Sequence, residues 1–448
     1  MTKIKFPPSL KPDPIIGHSY RLRSDPTGFL TKLSKLGDVT YLSLYNQHGY
    51  FLNHPDLIRD LLTTSNSKFE KGRAVKRSKS LLGEGLLTNE GAAHLRQRRM
   101  IQPAFHRERI ADYAKSMTDY AALMRDEWSD GEIRDIDKEM MRLTLQIVGK
   151  TLFSADVNNE TDDIGKAMTD VIELFNFLLL PFSELLEKLP FPQSRRFRRS
   201  KATLDSVIYK IIDERRNSGE DTGDLLSMLL LAQGEDDGKG MTDEQVRDEA
   251  MTLFLAGHET TANAMTWTYY LLSQNPEKAA HLHAELDSVL SGRIPTFEDV
   301  KDLKYTEAVF AESMRLFPPA WAIGRLAVEK HEFGGYEIPR NSLILISPYI
   351  THRDTRFWED AEDFIPERWF KRSVKEAGQT FTYFPFSRGV RSCIGESFAW
   401  MEGILLLAAI SQKWKLELIP EQKIGLNPVM TLRPQFGMRM LIRKRNIS

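Results

Sequence analysis

Apolar residues recur at helical spacing along most of the chain. The pattern is strongest between about residues 92 and 290, and a second apolar, helix-forming stretch follows Gly395. We therefore expect a helical body built from about 56–320 and 394–412.

An alternation of apolar and polar residues, typical of strands, occurs in shorter stretches outside the most regular helical pattern. It predicts strands within about 37–55 and 325–350, and a C-terminal hairpin formed by 414–419 and 439–442. The predicted fold class is mainly α with a smaller β-rich part that combines these regions. Neither a linker nor an internal repeat stands out, so we expect one domain over residues 1–448.

One helical pattern is much longer than the others. It begins after Thr242, whose side chain can form a capping box with Gln245, and it ends before Pro276. A helix of about 32 residues would span roughly 48 Å.

The middle of this long helix contains residues of low helix propensity. Gly257 and two threonines are unfavourable inside a helix, and such exceptions are expected where a site matters. Ala256 and Thr260 share one face, so a ligand could lie against a small side chain and a hydroxyl. The alternative is that the Thr260 hydroxyl only bonds back to its own helix. His258 lies roughly 160° around the helix from Thr260, and we interpret it as structural.

Composition and charge narrow the functional classes. The chain has 448 residues and a formal net charge of -1, which gives no support for a nucleic-acid partner. Residues 1–8 contain no apolar signal region, and the longest apolar runs are shorter than the roughly 20 residues of a membrane span. One cysteine is consistent with a reducing compartment. We expect a cytoplasmic protein without a membrane span.

Cys393 is the single cysteine, so neither a disulfide nor a zinc cluster explains it. One interpretation is a small buried hydrophobe. However, Gly389 and Gly395 flank it, as if the backbone passed close to something bulky. Arg391 and the helix predicted to start after Gly395 would both stabilise a thiolate. Such a thiolate would serve as a nucleophile or as an iron ligand.

Phe386, Gly389, Arg391, Cys393 and Gly395 have the residue types and spacing of a known signature. The stretch resembles, at all five positions, the haem-binding signature of the cytochrome P450 family, the haem-thiolate monooxygenases. A partial match such as Gly-x-Arg-x-Cys alone would be weak evidence.

Other stretches resemble further motifs of this family, in the family's order. Ala256–Thr261 resembles the oxygen-activation motif at every position. Glu312 and Arg315 resemble the Glu-x-x-Arg pair, and Pro366–Trp369 resembles the segment that supplies a second arginine, here Arg368. The resemblance covers nearly the whole chain.

The resemblance implies the cytochrome P450 fold, with a long central helix over haem b and Cys393 as the axial iron ligand. It also implies that Thr260 hydrogen-bonds the activated dioxygen and that Glu259 brings protons. Glu312, Arg315 and Arg368 are implied to form a buried ion-pair network. Further haem contacts implied by the resemblance are His94, Arg98, Arg325, Phe386, Arg391 and Gly395. The alternative for Arg325 is an arginine on the surface. Without the resemblance, a solvated basic face would be the preferred interpretation of His94 and Arg98.

The resemblance therefore implies a monooxygenase that inserts one oxygen atom of O2 into an apolar organic substrate, by hydroxylation or epoxidation. The chain has no flavin or nicotinamide domain, so we expect a separate ferredoxin or flavodoxin with an NAD(P)H-dependent reductase. Basic residues are expected to attract an acidic carrier: Arg96, Arg99, Lys371, Arg372 and Arg388.

Three alternatives remain at this point. A peroxide-driven peroxygenase or isomerase generally lacks the acid–threonine pair, so Glu259 and Thr260 count against it. A haem-binding sensor would bind without turnover. A hydrolase using Cys393 as nucleophile with a histidine leaves the ordered motifs unexplained.

The segments implied to face the substrate are mostly apolar, which favours a hydrophobic substrate such as a fatty acid, terpenoid or polyketide. They are 74–87, 175–180, the helix at Leu255 and Ala256, the stretch Trp321, Ala322 and Ile323, and the residues around Met430.

Overall fold

The structure, a computed structural model, describes residues 6–155, 161–174, 189–231 and 240–445. The predicted pocket segment 175–180 lies outside the described residues.

Among the described residues, helices predominate between residues 73 and 316, and most of the short strands lie before or after that stretch. The helices are α1 (Ser19–Ser24), α2 (Pro26–Ser34), α3 (Pro55–Arg59), α4 (Arg73–Arg77), α5 (Lys79–Leu82), α6 (Gly91–Ile101), α7 (Arg107–Asp126), α8 (Ile136–Phe153), α9 (Thr161–Glu173), α10 (Pro192–Ser218), α11 (Leu225–Leu231), α12 (Asp243–Gln274), α13 (Pro276–Leu290), α14 (Lys304–Leu316), α15 (Pro348–Thr351), α16 (Arg368–Lys371), α17 (Val374–Gln379) and α18 (Glu396–Ser411). The strands are β1 (Val39–Leu44), β2 (Gln47–Leu52), β3 (Phe69–Lys71), β4 (Ile133–Asp135), β5 (Ile323–Ala327), β6 (His331–Phe333), β7 (Tyr336–Ile338), β8 (Leu343–Ile346), β9 (Trp414–Leu418), β10 (Leu426–Pro428), β11 (Leu432–Pro434) and β12 (Arg439–Lys444). The predicted fold class, mainly α with a smaller β part, is confirmed.

The chain is divided into two compact units. The sheet unit comprises Met1–Lys76 and Met314–Cys393, and the helical unit comprises Arg77–Ser313 and Ile394–Ser448. That residues 1–448 form one domain stays a prediction.

The sheet unit is organised around a mixed sheet with the strand order β1–β2–β8–β5–β3. β2 and β8 run parallel, whereas the other neighbours are antiparallel. Tyr50 and Leu52 of β2 join a core cluster that contains Phe384, while Phe51 packs in a second cluster with Leu30 of α2. Both faces of β2 are therefore covered, as in a central strand. The first cluster anchors the chain just before Cys393.

The helical unit is built along α12. Thr242 and Gln245 form both hydrogen bonds of the capping box, and the helix has 32 residues, so the long-helix prediction is confirmed. A Cβ atom at Gly257 would lie 3.0 Å from Val148 Cγ2 of α8. The glycine therefore permits close packing of α8 on α12, which accounts for its position in mid-helix.

The C-terminal hairpin forms with the predicted strands, β9 and β12, in antiparallel register. We expected it to share the β-rich region of 37–55 and 325–350. Instead, β12 also pairs with β4, and all three strands belong to the helical unit. The sequence did not reveal β4, because three residues are too few to show an alternation.

Candidate active site

The cysteine loop, residues Phe384–Cys393, is held by its own backbone. The Ser387 N–H donates to the Phe384 carbonyl at 3.0 Å, and the Cys393 N–H donates to the Phe386 carbonyl at 2.9 Å. The Cys393 side chain is exposed, and Gly395 is the N-cap of α18. The thiol thus lies just before a helix N-terminus, where the helix dipole favours a thiolate.

Gly389 is required at the bend of this loop. Its φ is +76°, and a Cβ atom there would lie 2.2 Å from the Leu62 carbonyl oxygen. The sequence predicted that the glycines flanking Cys393 let the backbone pass close to something flat and bulky. Within the sheet unit, the approaching group is the turn Asp60–Thr64, which contains Leu62.

Two predicted structural arginines lie over one indole ring in the sheet unit. The guanidinium carbon of Arg315 is 5.2 Å from the Trp358 ring centroid, and that of Arg368 is 5.8 Å away. Arg315 also donates to the carbonyls of His352 and Ala361, at 2.8 and 2.6 Å. Sequence reasoning missed Trp358, although a tryptophan shortly before the Pro366–Trp369 segment was visible. Its Nε1–H donates to Thr382 at 3.2 Å and so supports the start of the cysteine loop.

Glu312 is fully buried in α14, and its role in the predicted ion-pair network stays a prediction. Arg325 is buried on β5, where its guanidinium donates to the Gly324 carbonyl at 3.1 Å. Phe386 and Arg391 are half-buried in the cysteine loop.

The predicted pocket residues of the sheet unit lie where β5 begins. Trp321, Ala322 and Ile323 are half-buried. Trp321 packs against the core cluster that contains Leu30, and its carbonyl accepts the Ser347 hydroxyl at 2.6 Å. Its ring therefore has a structural contact in addition to any contact with substrate.

In the helical unit, the central part of α12 is mostly buried but is accessible at Ala256 and Thr260. Ala256 is exposed and Thr260 is half-buried, whereas Leu255 and Glu259 are buried. The Thr260 hydroxyl donates to the Ala256 carbonyl at 2.7 Å. This is the back-bonded geometry that the sequence left as an alternative. It leaves the oxygen of Thr260 able to accept a hydrogen bond on the open face.

Glu259 is held in a polar cluster inside the helical unit. Only 1% of the residue is exposed, and its Oε1 accepts the Thr431 hydroxyl at 2.6 Å. Arg433 Nε is 3.7 Å from the same oxygen, and Asn263 donates to Thr431 at 3.0 Å. Burial raises the pKa of Glu259, and Arg433 offsets part of that rise. The carboxyl is thus biased toward its protonated form.

Arg433 also affects the pKa of a second carboxyl, that of Asp137. Burial raises the pKa of Asp137 to about 6, while Arg433 lowers it and Glu259 raises it further. Asp137 lies in the first turn of α8. The sequence placed Thr431 in a segment facing the substrate but did not identify it as a partner of Glu259, and it revealed neither Asp137 nor Arg433. More than 100 residues separate Glu259 from each of these partners, and no local pattern links them.

His258 agrees with its structural interpretation. Its ring Nε2 interacts with the Met141 carbonyl at 2.9 Å, and burial lowers its pKa to about 4. The side chain therefore joins α12 to α8 and stays neutral.

The remaining predicted residues also lie in the helical unit. His94 is buried and Arg98 half-buried on α6, one turn apart on the same face. Met430 is half-buried between β10 and β11. This small hairpin was not predicted, and it carries Thr431 next to Glu259.

The comparison with known proteins identifies the family. The family model for cytochrome P450 matches residues 7–439. The chain belongs to the cytochrome P450 family. The cyclooctatin synthase of Streptomyces melanosporofaciens is 39% identical over 421 residues, which cover 94% of this chain and 92% of the relative.

Two other P450 relatives are similar over comparable lengths. Cyclooctat-9-en-7-ol 5-monooxygenase of Streptomyces melanosporofaciens is 37% identical over 91% of this chain and 88% of its own. Pentalenene oxygenase of Streptomyces avermitilis is 33% identical over 92% of this chain and 91% of its own.

This P450 is a haem-iron monooxygenase that oxygenates an apolar organic substrate with O2 and electrons from a redox partner. The predicted enzyme class is confirmed, and the hydrolase alternative is set aside. Among the described residues, no helix is both long enough and apolar enough to cross a membrane.

The residues of the structure fit a haem group. An exposed thiol lies before a helix N-terminus, which suits a thiolate bound to iron. Ala256 is exposed and Thr260 is half-buried, so this face of α12 can lie against a flat group. Neither observation depends on the family assignment.

Proposed function

We propose that Cys393 is the axial ligand of the haem iron and that the haem is haem b. The observation that carries this proposal is an exposed thiol, the single cysteine of the chain, on a loop fixed by its own backbone hydrogen bonds. When bound, haem iron with a thiolate ligand supplies O–O cleavage and oxidation of the substrate.

The side chains proposed to hold the rest of the haem come from the family motifs. They are His94, Arg98, Arg325, Phe386, Arg391 and Gly395. Arginine and histidine would bind the two propionates through charge-assisted hydrogen bonds. Burial of His94 and Arg325 supports the proposal, because such contacts are strongest away from water.

We propose that Glu259 and Thr260 handle the protons of the reaction. The raised pKa of Glu259 makes its carboxyl a proton carrier, and the Thr431 hydroxyl fixes its Oε1. Thr260 presents a hydroxyl oxygen on the open face of α12 and can direct a proton there. Glu312, Arg315 and Arg368 are proposed to hold the core near the haem.

The proposed substrate is a cyclic terpene or terpene alcohol. Two relatives are named for the oxygenation of cyclooctat-9-en-7-ol and pentalenene, which are terpenes. The proposed pocket residues are apolar: Leu255, Ala256, Trp321, Ala322, Ile323 and Met430. Such a lining excludes water and binds hydrocarbon surface with few polar contacts.

The proposed electron donor is a ferredoxin or flavodoxin with an NAD(P)H-dependent reductase, and the proposed location is the cytoplasm, where NAD(P)H is available. Lys371 and Arg99 are exposed and remain candidates to steer an acidic donor. Arg372 donates to the Thr382 hydroxyl at 2.8 Å, so it also has a structural contact.

A spectral titration of the ferric protein tests the substrate proposal. We expect cyclic terpene hydrocarbons and alcohols to shift the Soret band at micromolar concentration, and linear fatty acids of equal carbon number to shift it weakly. The variant Ala256→Phe, which covers the open face of α12, should lose the terpene response, and the reduced carbonyl spectrum of the same preparation shows how much haem it retains. Stronger shifts with fatty acids would contradict the terpene proposal.

A further inference from the structure

His352 lies directly against the start of the cysteine loop. The Phe384 N–H donates a hydrogen bond to His352 Nε2, with 2.9 Å between the nitrogen atoms. The imidazole stacks on Tyr383, with ring centroids 5.1 Å apart, and meets the Phe384 ring edge-on at 5.2 Å. All three residues are buried. The histidine therefore contacts both residues from which the loop departs.

The surroundings of His352 keep its ring neutral. Burial lowers its pKa well below the usual value, and the nearby cations Arg315 and Arg353 lower it further. Because Nε2 accepts the amide hydrogen, the neutral ring carries its own hydrogen on Nδ1. A protonated imidazole has no acceptor, so only the neutral ring can make this contact.

Successive hydrogen bonds lead from α14 to Cys393 through His352. Arg315 donates to the His352 carbonyl at 2.8 Å, and the His352 ring receives the Phe384 amide. The Phe384 carbonyl then accepts the Ser387 N–H, and the Cys393 N–H closes the loop at its far end. Without the histidine acceptor, the buried Phe384 N–H at the start of the cysteine loop would have no hydrogen-bond partner.

We propose that His352 is a positioning residue that fixes the cysteine loop through its ring nitrogen, so that Cys393 is presented for iron binding. This inference rests on the proposed role of Cys393. His352 acts through Phe384, and the geometry separates this role from that of a histidine that only fills the core.

Two substitutions of similar polarity separate these roles. The side-chain oxygen of His352→Gln reaches about as far as Nε2, whereas that of His352→Asn reaches only as far as Nδ1. We expect His352→Gln to keep the red-shifted Soret band of the reduced carbonyl complex, and His352→Asn to lose most of it at pH 7. Hydrogen exchange at the Phe384 amide should be about 10- to 100-fold faster in the asparagine variant.

His18 provides the matched control in the same unit. It is fully buried, and its Nδ1 accepts the Ser43 N–H at 3.0 Å. His18→Gln and His18→Asn should change stability but not the carbonyl spectrum. If His352→Asn does not fold, His352→Phe, which has no acceptor, replaces it.

Equal spectra and equal Phe384 exchange in the two His352 variants would overturn the proposal, and so would spectral loss in folded His352→Gln. A wild-type protein without the red-shifted band would instead overturn the assignment of Cys393. Amide exchange does not require haem, so it tests His352 in either case.

Discussion

Glu402 should make the protein less stable as the pH rises. The residue lies on α18, nine positions after Cys393, and it is fully buried. Burial raises its pKa to about 8, and the Thr261 hydroxyl offsets part of that rise. The perturbation we consider is Glu402→Gln, which keeps the shape and cannot ionise.

The direction and size of the pH effect follow from the protonation of Glu402 in the folded and unfolded states. Below the unfolded pKa of 4.5, both states hold the proton. Between 4.5 and about 8, the unfolded carboxyl is ionised while the folded one is not, so the free energy of unfolding falls by about 1.4 kcal/mol per pH unit. The accumulated loss is about 3 kcal/mol at pH 7 and about 5 kcal/mol above pH 8. Glu402→Gln does not lose this stability, because glutamine cannot ionise.

The assay is denaturant unfolding of both proteins between pH 5 and 8. The free-energy difference between Glu402→Gln and the wild type should grow steadily with pH. Any cost of burying the glutamine amide adds a constant to this free-energy difference at every pH, and a constant does not change the slope of the difference against pH. Glu421→Gln, at an exposed turn, is the control and should show no slope. Parallel profiles for Glu402→Gln and the wild type would contradict the raised pKa of Glu402 in the folded protein.

Three further predictions concern the site and its surroundings. Thr260→Ala should keep haem and terpene binding but release more peroxide per electron, with product formation reduced about 100- to 10,000-fold; unchanged coupling would mean that this hydroxyl only bonds to its helix. Gly389→Ala should destabilise the protein by at least about 1–2 kcal/mol in denaturant unfolding, because φ is +76° and Leu62 blocks the new Cβ; an unchanged free energy of unfolding would show that the bend can relax. Charge reversal of Lys371 or Arg99 should raise the apparent KM for the electron donor and weaken its salt dependence, whereas unchanged kinetics would place the docking surface elsewhere.

The sequence predicted the parts of the fold that local chemistry determines. Thr242 and Gln245 marked the start of α12, and Pro276 marked its end. The strands β10 and β11 were not predicted, because three residues carry no readable alternation. The two strands pair with each other in a short antiparallel hairpin, with Leu426 opposite Pro434.

The candidate site was predictable only where residues form a motif. Cys393 and Thr260 could be named from their neighbours. The partner of Glu259 could not, since Thr431 is 172 residues away and a threonine alone has no distinguishing pattern. We expected Gly257 to belong to a ligand site. In the structure it instead makes room for the Val148 side chain of α8.

The proposed chemistry requires Cys393 as the iron ligand, and the reduced carbonyl spectrum of Cys393→Ser tests this role most directly. Serine keeps the size and the backbone hydrogen bond of the loop but removes the thiolate. We predict a red-shifted Soret band in the wild type and its complete loss in the variant, with both proteins folded. A red-shifted band that persists in Cys393→Ser would contradict the assignment.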